Sequence, residues 1–370
     1  MASNPARFLA LDVLRGMTVC FMIIVNTGGT GAEPFSPLLH ASWHGFTPTD
    51  LVFPSFLFAV GNAMAFSMGK FNTLPPAQVT WKIVKRGLII FLLGYLMYWF
   101  PFLHHTDSGY VFNPWSDTRI FGVLQRIGIC YAMAGLMIHF LSRKMVWIIS
   151  GVFLLGYWLL MYTMGDYTLL GNAQRAIDLA LLGESHLYHG EGVAFDPEGF
   201  LSTFPAVVNV IIGYYAGVFI KEKGNQFETI AKLALAGAAM IVIAYFWDLL
   251  FPINKKLWTS SFVFYTCGID LVLLAALIYF IEIRQQKKWT GFFEVFGKNP
   301  LIIYLLSELM AIMMWFVQVN KKPLYMVIND VIYQKLLPGP WGSLAFALSV
   351  MLLCWLAGWW MDKRKIYIRV

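Results

Sequence analysis

Two histidines and a carboxylate share one polar stretch: His40, His44 and Asp50, within NTGGTGAEPFSPLLHASWHGFTPTDLVFPSFLF at residues 26–58. A neutral imidazole takes a proton from an amine or hydroxyl near neutral pH, or attacks a thioester itself. Pro34, Pro37, Pro48 and Pro54 pin the stretch, which suits a side chain that has to be held in one place. On residue type alone, a structural histidine and a catalytic one both stay open. Asn26 ends the preceding apolar segment, where a helix cap is the plain reading.

Further ionisable groups sit inside apolar segments, where they are costly and usually face a polar interior or a cavity. Asp12 and Arg15 are three apart and so share a helix face. They serve as a helix-end ion pair or as the lining of an anionic ligand's route. Arg119 and Arg126 are seven apart, two turns along one face. A helix over 119–141 puts Arg126 several turns deep, as an ion-pair partner or as a contact for a phosphate or thioester carbonyl. Asn299, Ser307 and Glu308 mark a polar stripe of a later segment. Glu184, His186, His189 and Glu191 have the composition of a metal site but lie in a loop, and no metal is expected. The four cysteines all fall in apolar segments without zinc-type spacing.

The elements that must hold these groups are membrane helices. The chain is 59% hydrophobic and 13% charged over 370 residues, more apolar surface than a soluble domain can hide. Ten stretches are long enough to span, near 8–27, 50–69, 81–100, 119–141, 145–164, 203–221, 229–248, 259–281, 296–318 and 341–361. Residues 322–337 are shorter and amphipathic, predicting an interfacial helix, with an eleventh span as the alternative. The expected fold is an all-α integral membrane bundle, one domain over 1–370. Lysine and arginine collect in alternate connectors, from Lys70 and Lys82 to Lys287, Lys288 and the tail Lys363-Arg364-Lys365. The positive-inside rule then puts both termini in the cytoplasm and the 26–49, 104–117 and 165–202 loops outside. The net charge of +7 comes from those connectors. No basic soluble face is left for nucleic acid.

The motifs LDVLRG, MIIVN and HASWHGFTPTDLVFPSFLFAVG resemble the heparan-alpha-glucosaminide N-acetyltransferase family of transmembrane acyltransferases. RIFGVLQRIGICY, DPEGFLSTFPAVVNVIIGYYAG, PINKKLWTSSFVFYTCGID and FGKNPLIIYLLSE extend the resemblance in order. It implies an enzyme of the bacterial inner membrane that takes acetyl from cytoplasmic acetyl-CoA to the amine of an amino sugar on the far side. It also implies a homodimer. The family's active histidine falls on His40, and its Asn and Asp fall on Asn26 and Asp50; His44 stands where the lysosomal member has Asn. Asp12, Arg15, Arg126, Asn299 and Ser307 are then expected on the acetyl-CoA side. Trp43, His44 and Glu308 are expected on the acceptor side. A proton-coupled carrier for a sugar or amino sugar is the competing class, since intramembrane charges and a histidine serve it equally well.

Overall fold

A computed structural model describes residues 8–106 and 109–368. Helix α1 (Leu9–Asn26) leads through a Gly- and Pro-rich loop to α2 (Pro48–Ser67), and α3 (Pro76–Trp99) follows. A two-stranded hairpin, β1 (Leu103–Thr106) with β2 (Gly109–Phe112), precedes α4 (Val123–Phe140) and α5 (Arg143–Thr163). The short amphipathic α6 (Ala173–Leu182) lies in the next long loop. Then come α7 (Thr203–Lys223), α8 (Phe227–Asp248) and α9 (Ser260–Leu277), which runs on as a π-helical turn to Ile283. Helices α10 (Thr290–Lys298) and α11 (Pro300–Phe316) are followed by a second hairpin, β3 (Gln318–Val319) with β4 (Lys322–Pro323). Two short pieces, α12 (Leu324–Ile328) and α13 (Gln334–Leu336), lead to α14 (Pro340–Lys363).

Helices α2, α7 and α9 form the inner layer, with α1 against α2 and α10. Their apolar residues point inward all round; Leu57, Phe58, Val207, Ile211, Phe262 and Leu274 are buried. The outer helices α5, α8 and α14 keep Leu155, Leu159, Leu235, Phe246, Leu353 and Trp360 exposed, stripes that lipid covers. Glycines set the inner crossings. A methyl group at Gly61 of α2 would fall on the Val210 carbonyl of α7, and one at Gly213 on the Phe58 carbonyl. Gly87 and Gly128 pair likewise between α3 and α4, and Gly237 and Gly268 between α8 and α9. Backbones approach this closely only where side chains are missing, the small-residue mode of membrane helix packing.

Eight helices among the described residues are long and apolar enough to cross a bilayer, or up to nine with the bent α10–α11 pair. The expected ten are not reached on that measure. Helix α3 has 24 residues, but Lys82, Lys85 and Arg86 occupy its first half. The span expected over 296–318 is broken by 84° between Lys298 and Pro300. Proline disfavours the helical region for the residue before it, and Asn299 adopts φ −132°. From Leu324 to Leu336 the chain covers about 20 Å at 1.5 Å per residue, too short for a hydrocarbon core of about 30 Å. An eleventh span there is excluded. Alternating helix directions put the ends Asn26, Pro48, Trp99, Val123 and Thr203 at one face, the loop face. The starts of α1, α3 and α10 lie at the opposite, tail face, with the end of α14.

Candidate active site

Helix α2 begins by fixing a carboxylate. Asp50 is the third residue of the helix, and its Oδ2 accepts the Thr47 N–H at 3.0 Å and the Ala41 N–H at 3.1 Å, with the Thr47 hydroxyl oxygen also 3.1 Å away. The first turn of a helix also favours negative charge. Its Oδ1 is left for His40, whose Nδ1 lies 2.7 Å away. The Asp50 side chain is 1% exposed and His40 is 42% exposed, so a buried orienting group carries an accessible ring. The loop is held to α2 by the Thr47 hydroxyl on Leu39 O (2.7 Å) and the Thr49 hydroxyl on Pro37 O (2.9 Å). With Nδ1 committed to Asp50, Nε2 is the nitrogen that faces outward chemistry.

Lys255 comes to that nitrogen from the connector between α8 and α9. Its Nζ stands 3.1 Å from His40 Nε2 and 3.3 Å from Nδ1. Burial holds its ammonium below the ordinary lysine range, while Glu198 and Asp50 act the other way. Burial pushes Glu198 up, and Arg119, Arg126 and Lys255 more than offset it, so it stays below the usual range. Arg119 braces this side, donating to Asp196 at 2.6 and 2.8 Å and to Glu198 at 2.7 Å between the rings of Tyr98 and Tyr188.

The other expected residues divide. Asn26 donates to Glu308 Oε1 at 2.9 Å, joining the end of α1 to α11. Trp43 donates to Tyr167 O at 2.7 Å and packs on Phe195, and the His44 ring lies 3.3 Å from Asn254 Nδ2. These two tie the loop to its neighbours. Ser307 donates to Tyr304 O within its own helix. Arg126 is not several turns deep: Thr118–Gly122 is not helical, and α4 starts at Val123. It lies in the first turn, wholly buried, over the Trp258 ring, bonded to Gly199 O and Ser202 Oγ. His186 accompanies Thr118 O, Glu191 pairs with Lys256, and no metal-type cluster of His, Cys, Asp and Glu occurs among the described residues.

A cavity opens at the tail face, with a volume of about 580 Å³. Arg15, Arg86 and Lys298 line it, with Asp12 beside Arg15 at 2.8 Å. Arg15 Nε donates to Gly297 O at 2.9 Å, at the break between α10 and α11. The far wall is apolar, with Phe56, Leu124 and Ile127. Leu124 is the second residue of α4, so the cavity runs through much of the bundle toward the loop face. Arg126 does not line it. Asn299 does not line it either: its amide accepts Ile368 N–H at 3.0 Å and donates to Ile366 O at 2.9 Å. It thereby straps Tyr367 and Ile368 across the cavity wall.

Residues 7–251 match the family model described as heparan-alpha-glucosaminide N-acetyltransferase, catalytic. The chain belongs to this family. The human protein named heparan-alpha-glucosaminide N-acetyltransferase is 27% identical over 371 residues, and its mouse counterpart is 27% identical over 369. Each alignment covers 83% of this chain and 54% of the relative, so the chain spans about half the length of the curated relatives it matches. The region matched by the family model carries Asn26, His40, Asp50, Arg126 and Glu198. Lys255, Asn299, Ser307 and Glu308 lie beyond it.

Lys255 and Glu198 were not singled out from the sequence. A lysine in a membrane connector reads as a topology signal, and 215 residues separate Lys255 from His40. The local clue is Asn254-Lys255-Lys256 inside an otherwise apolar neighbourhood. Of that triplet, Asn254 accepts from Leu257 N at 2.8 Å, and Lys256 bonds Ser42 O and Glu191.

Proposed function

We propose that the chain is a transmembrane N-acetyltransferase that moves acetyl from acetyl-CoA to the amine of an amino sugar. The single observation that carries this reading is the pairing of two sites. One is an exposed imidazole oriented by a buried carboxylate at the loop face. The other is a cavity with a basic mouth and an apolar inner wall, entered from the tail face. Acyl-CoA is a polyanion with a long uncharged arm. Arg15, Arg86 and Lys298 suit its phosphates, and Phe56, Leu124 and Ile127 suit the arm. The charge asymmetry of the connectors supports a cytoplasmic tail face and an acceptor arriving from the opposite side. In a bacterium that membrane is the inner membrane. The family membership supports an amino sugar as acceptor.

In this reading His40 Nε2 takes the proton from the sugar amine as its nitrogen attacks the thioester carbonyl. Asp50 holds the ring and balances the imidazolium. The carbon–sulfur bond breaks, and the CoA sulfur leaves with that proton. Direct transfer is favoured over an acetyl-histidine because two reactants held at one site gain the benefit of proximity.

The test is thiol release by the purified chain in detergent, given acetyl-CoA and glucosamine. Release is expected only with both substrates, and a carrier gives none. His40→Ala is expected to keep CoA binding while lowering transfer by at least about 100-fold. Label from radioactive acetyl-CoA that stays on the protein without acceptor, and is lost in His40→Ala, would replace direct transfer by an acetyl-histidine route.

A further inference from the structure

We infer that Lys255 is a catalytic residue whose ammonium stabilises the oxyanion formed on the acetyl group. The inference rests on the N-acetyltransferase reading above.

The transfer needs a positive donor at the thioester oxygen, close to the nitrogen that receives the amine proton. The charged and amide donors near His40 are mostly committed. Arg126 lies over the Trp258 ring with Nη2 on Gly199 O and Ser202 Oγ, while its Nε and Nη1 are buried without a partner and it makes no hydrogen bond to His40. Arg119 is held by Asp196 and Glu198. Asn26 Nδ2 is on Glu308, and Lys256 is on Ser42 and Glu191. Lys255 Nζ alone among these stands at His40, 3.1 Å from Nε2. Asp50 attracts it, but Oδ2 already takes the Ala41 and Thr47 N–H groups and Oδ1 faces Nδ1.

Nζ is nearly equidistant from the two ring nitrogens, so it stands over the His40 ring and leaves the in-plane lone pair of Nε2 to an acceptor amine. The ammonium is then next to the reacting carbon, half-buried and short of an acceptor. As the amine attacks, the carbon–nitrogen bond forms and the carbonyl electrons move onto oxygen. That oxygen becomes the strongest acceptor in reach. When the carbonyl reforms and the CoA sulfur leaves with the proton held by His40, Lys255 is left beside the neutral ring. Lys255 keeps its own proton throughout. The groups that face it are His40 from the loop, Asp50 from α2, Glu198 from the segment before α7, Arg126 from α4, and Lys256 beside it. Its burial makes the charge sensitive to rising pH.

The experiment uses the full chain with acetyl-CoA and glucosamine, comparing wild type, Lys255→Met and Lys255→Arg. Lys255→Met is expected to lower kcat by about 100-fold or more while leaving acetyl-CoA binding within about twofold. Lys255→Arg is expected to keep a substantial part of kcat and to move the alkaline limb of the pH profile upward, because guanidinium does not deprotonate there. A structural role would not move that limb. A Met variant with near wild-type kcat, or an Arg variant whose alkaline limb stays in place, overturns the assignment. So does acetyl label found on Lys255 after incubation without acceptor, since it would make Lys255 a neutral nucleophile. If the Met variant does not fold, the Arg profile decides. A wild type that releases no thiol with any amino sugar overturns the transferase reading and this inference together, whereas an active wild type with an unaffected Met variant overturns this inference only.

Discussion

Asp50 divides its oxygens between folding and orientation: Oδ2 closes the start of α2 and Oδ1 turns to His40. The feature that starts the helix also aims the ring. The sequence showed His40 and Asp50 in one proline-pinned stretch ahead of an apolar span; the helix start at Thr47 that divides the two oxygens came from the structure. Lys255 was not legible, since the polar triplet Asn254-Lys255-Lys256 marks a connector but not the loop to which it returns. Asp178, on α6 outside the spans, shows a second residue-level effect. Its Oδ1 accepts Phe200 N–H at 3.0 Å, while Oδ2 is buried without a partner. Burial pushes its carboxyl from 3.8 up to about 7. The folded chain therefore binds this proton more tightly than the unfolded chain. Stability contributed here is present below the unfolded value and falls as pH rises from about 4 to about 7. Asp178→Asn keeps the shape without the charge, and it is expected to reduce the slope of melting temperature against pH in that window. An unchanged slope would assign the dependence to other groups.

Among the elements, the α2–α7 crossing is the tightest constraint on the site, since α2 carries Asp50 and α7 follows Glu198 directly. Gly61→Ala and Gly213→Ala each place a methyl group on a facing carbonyl. Overpacking of this kind costs about 1–3 kcal/mol. Both variants are expected to melt lower in detergent. Gly151→Ala and Gly156→Ala on α5 meet nothing within 4 Å and gain helix propensity, so they are expected to be neutral or slightly stabilising. Equal melting of all four would mean that the crossing relaxes freely. Most helices were legible from apolar length. Two further departures, besides the charged first half of α3, have local causes. At Lys298-Asn299-Pro300 the proline turns a single apolar run into two helices. Before α4, residues 118–122 carry enough apolar character to extend the run without being helical.

For the whole molecule, the proposed sidedness makes a direct prediction. The four native cysteines are all buried, so an introduced thiol stands out. Ser185 is exposed in the long loop at the loop face, and Lys287 is exposed in the connector before α10. In intact cells Ser185→Cys is expected to react with an impermeant thiol reagent and Lys287→Cys only after lysis. The reverse pattern would put the acceptor site inside. Alternation of charge was legible because lysines and arginines act on insertion one connector at a time. The closing of α1 onto α10 and α11 was not, because no periodicity within α1 names its partners.

That closure has a consequence for biogenesis. Arg15 to Gly297 and Asn26 to Glu308 each join residues 282 apart. At 5–20 residues per second, a ribosome takes about 15–60 s to make the 282 residues between them. For that interval the first span waits in the bilayer with its Gly16 face, later covered by Phe293, open to lipid. Asp12 and Arg15, three apart on one face, form a pair it carries with it, which needs no later segment. Both ends of the first helix are therefore joined to helices that arrive late, and insertases or membrane proteases have about 15–60 s in which to hold, or to remove, an unassembled first helix.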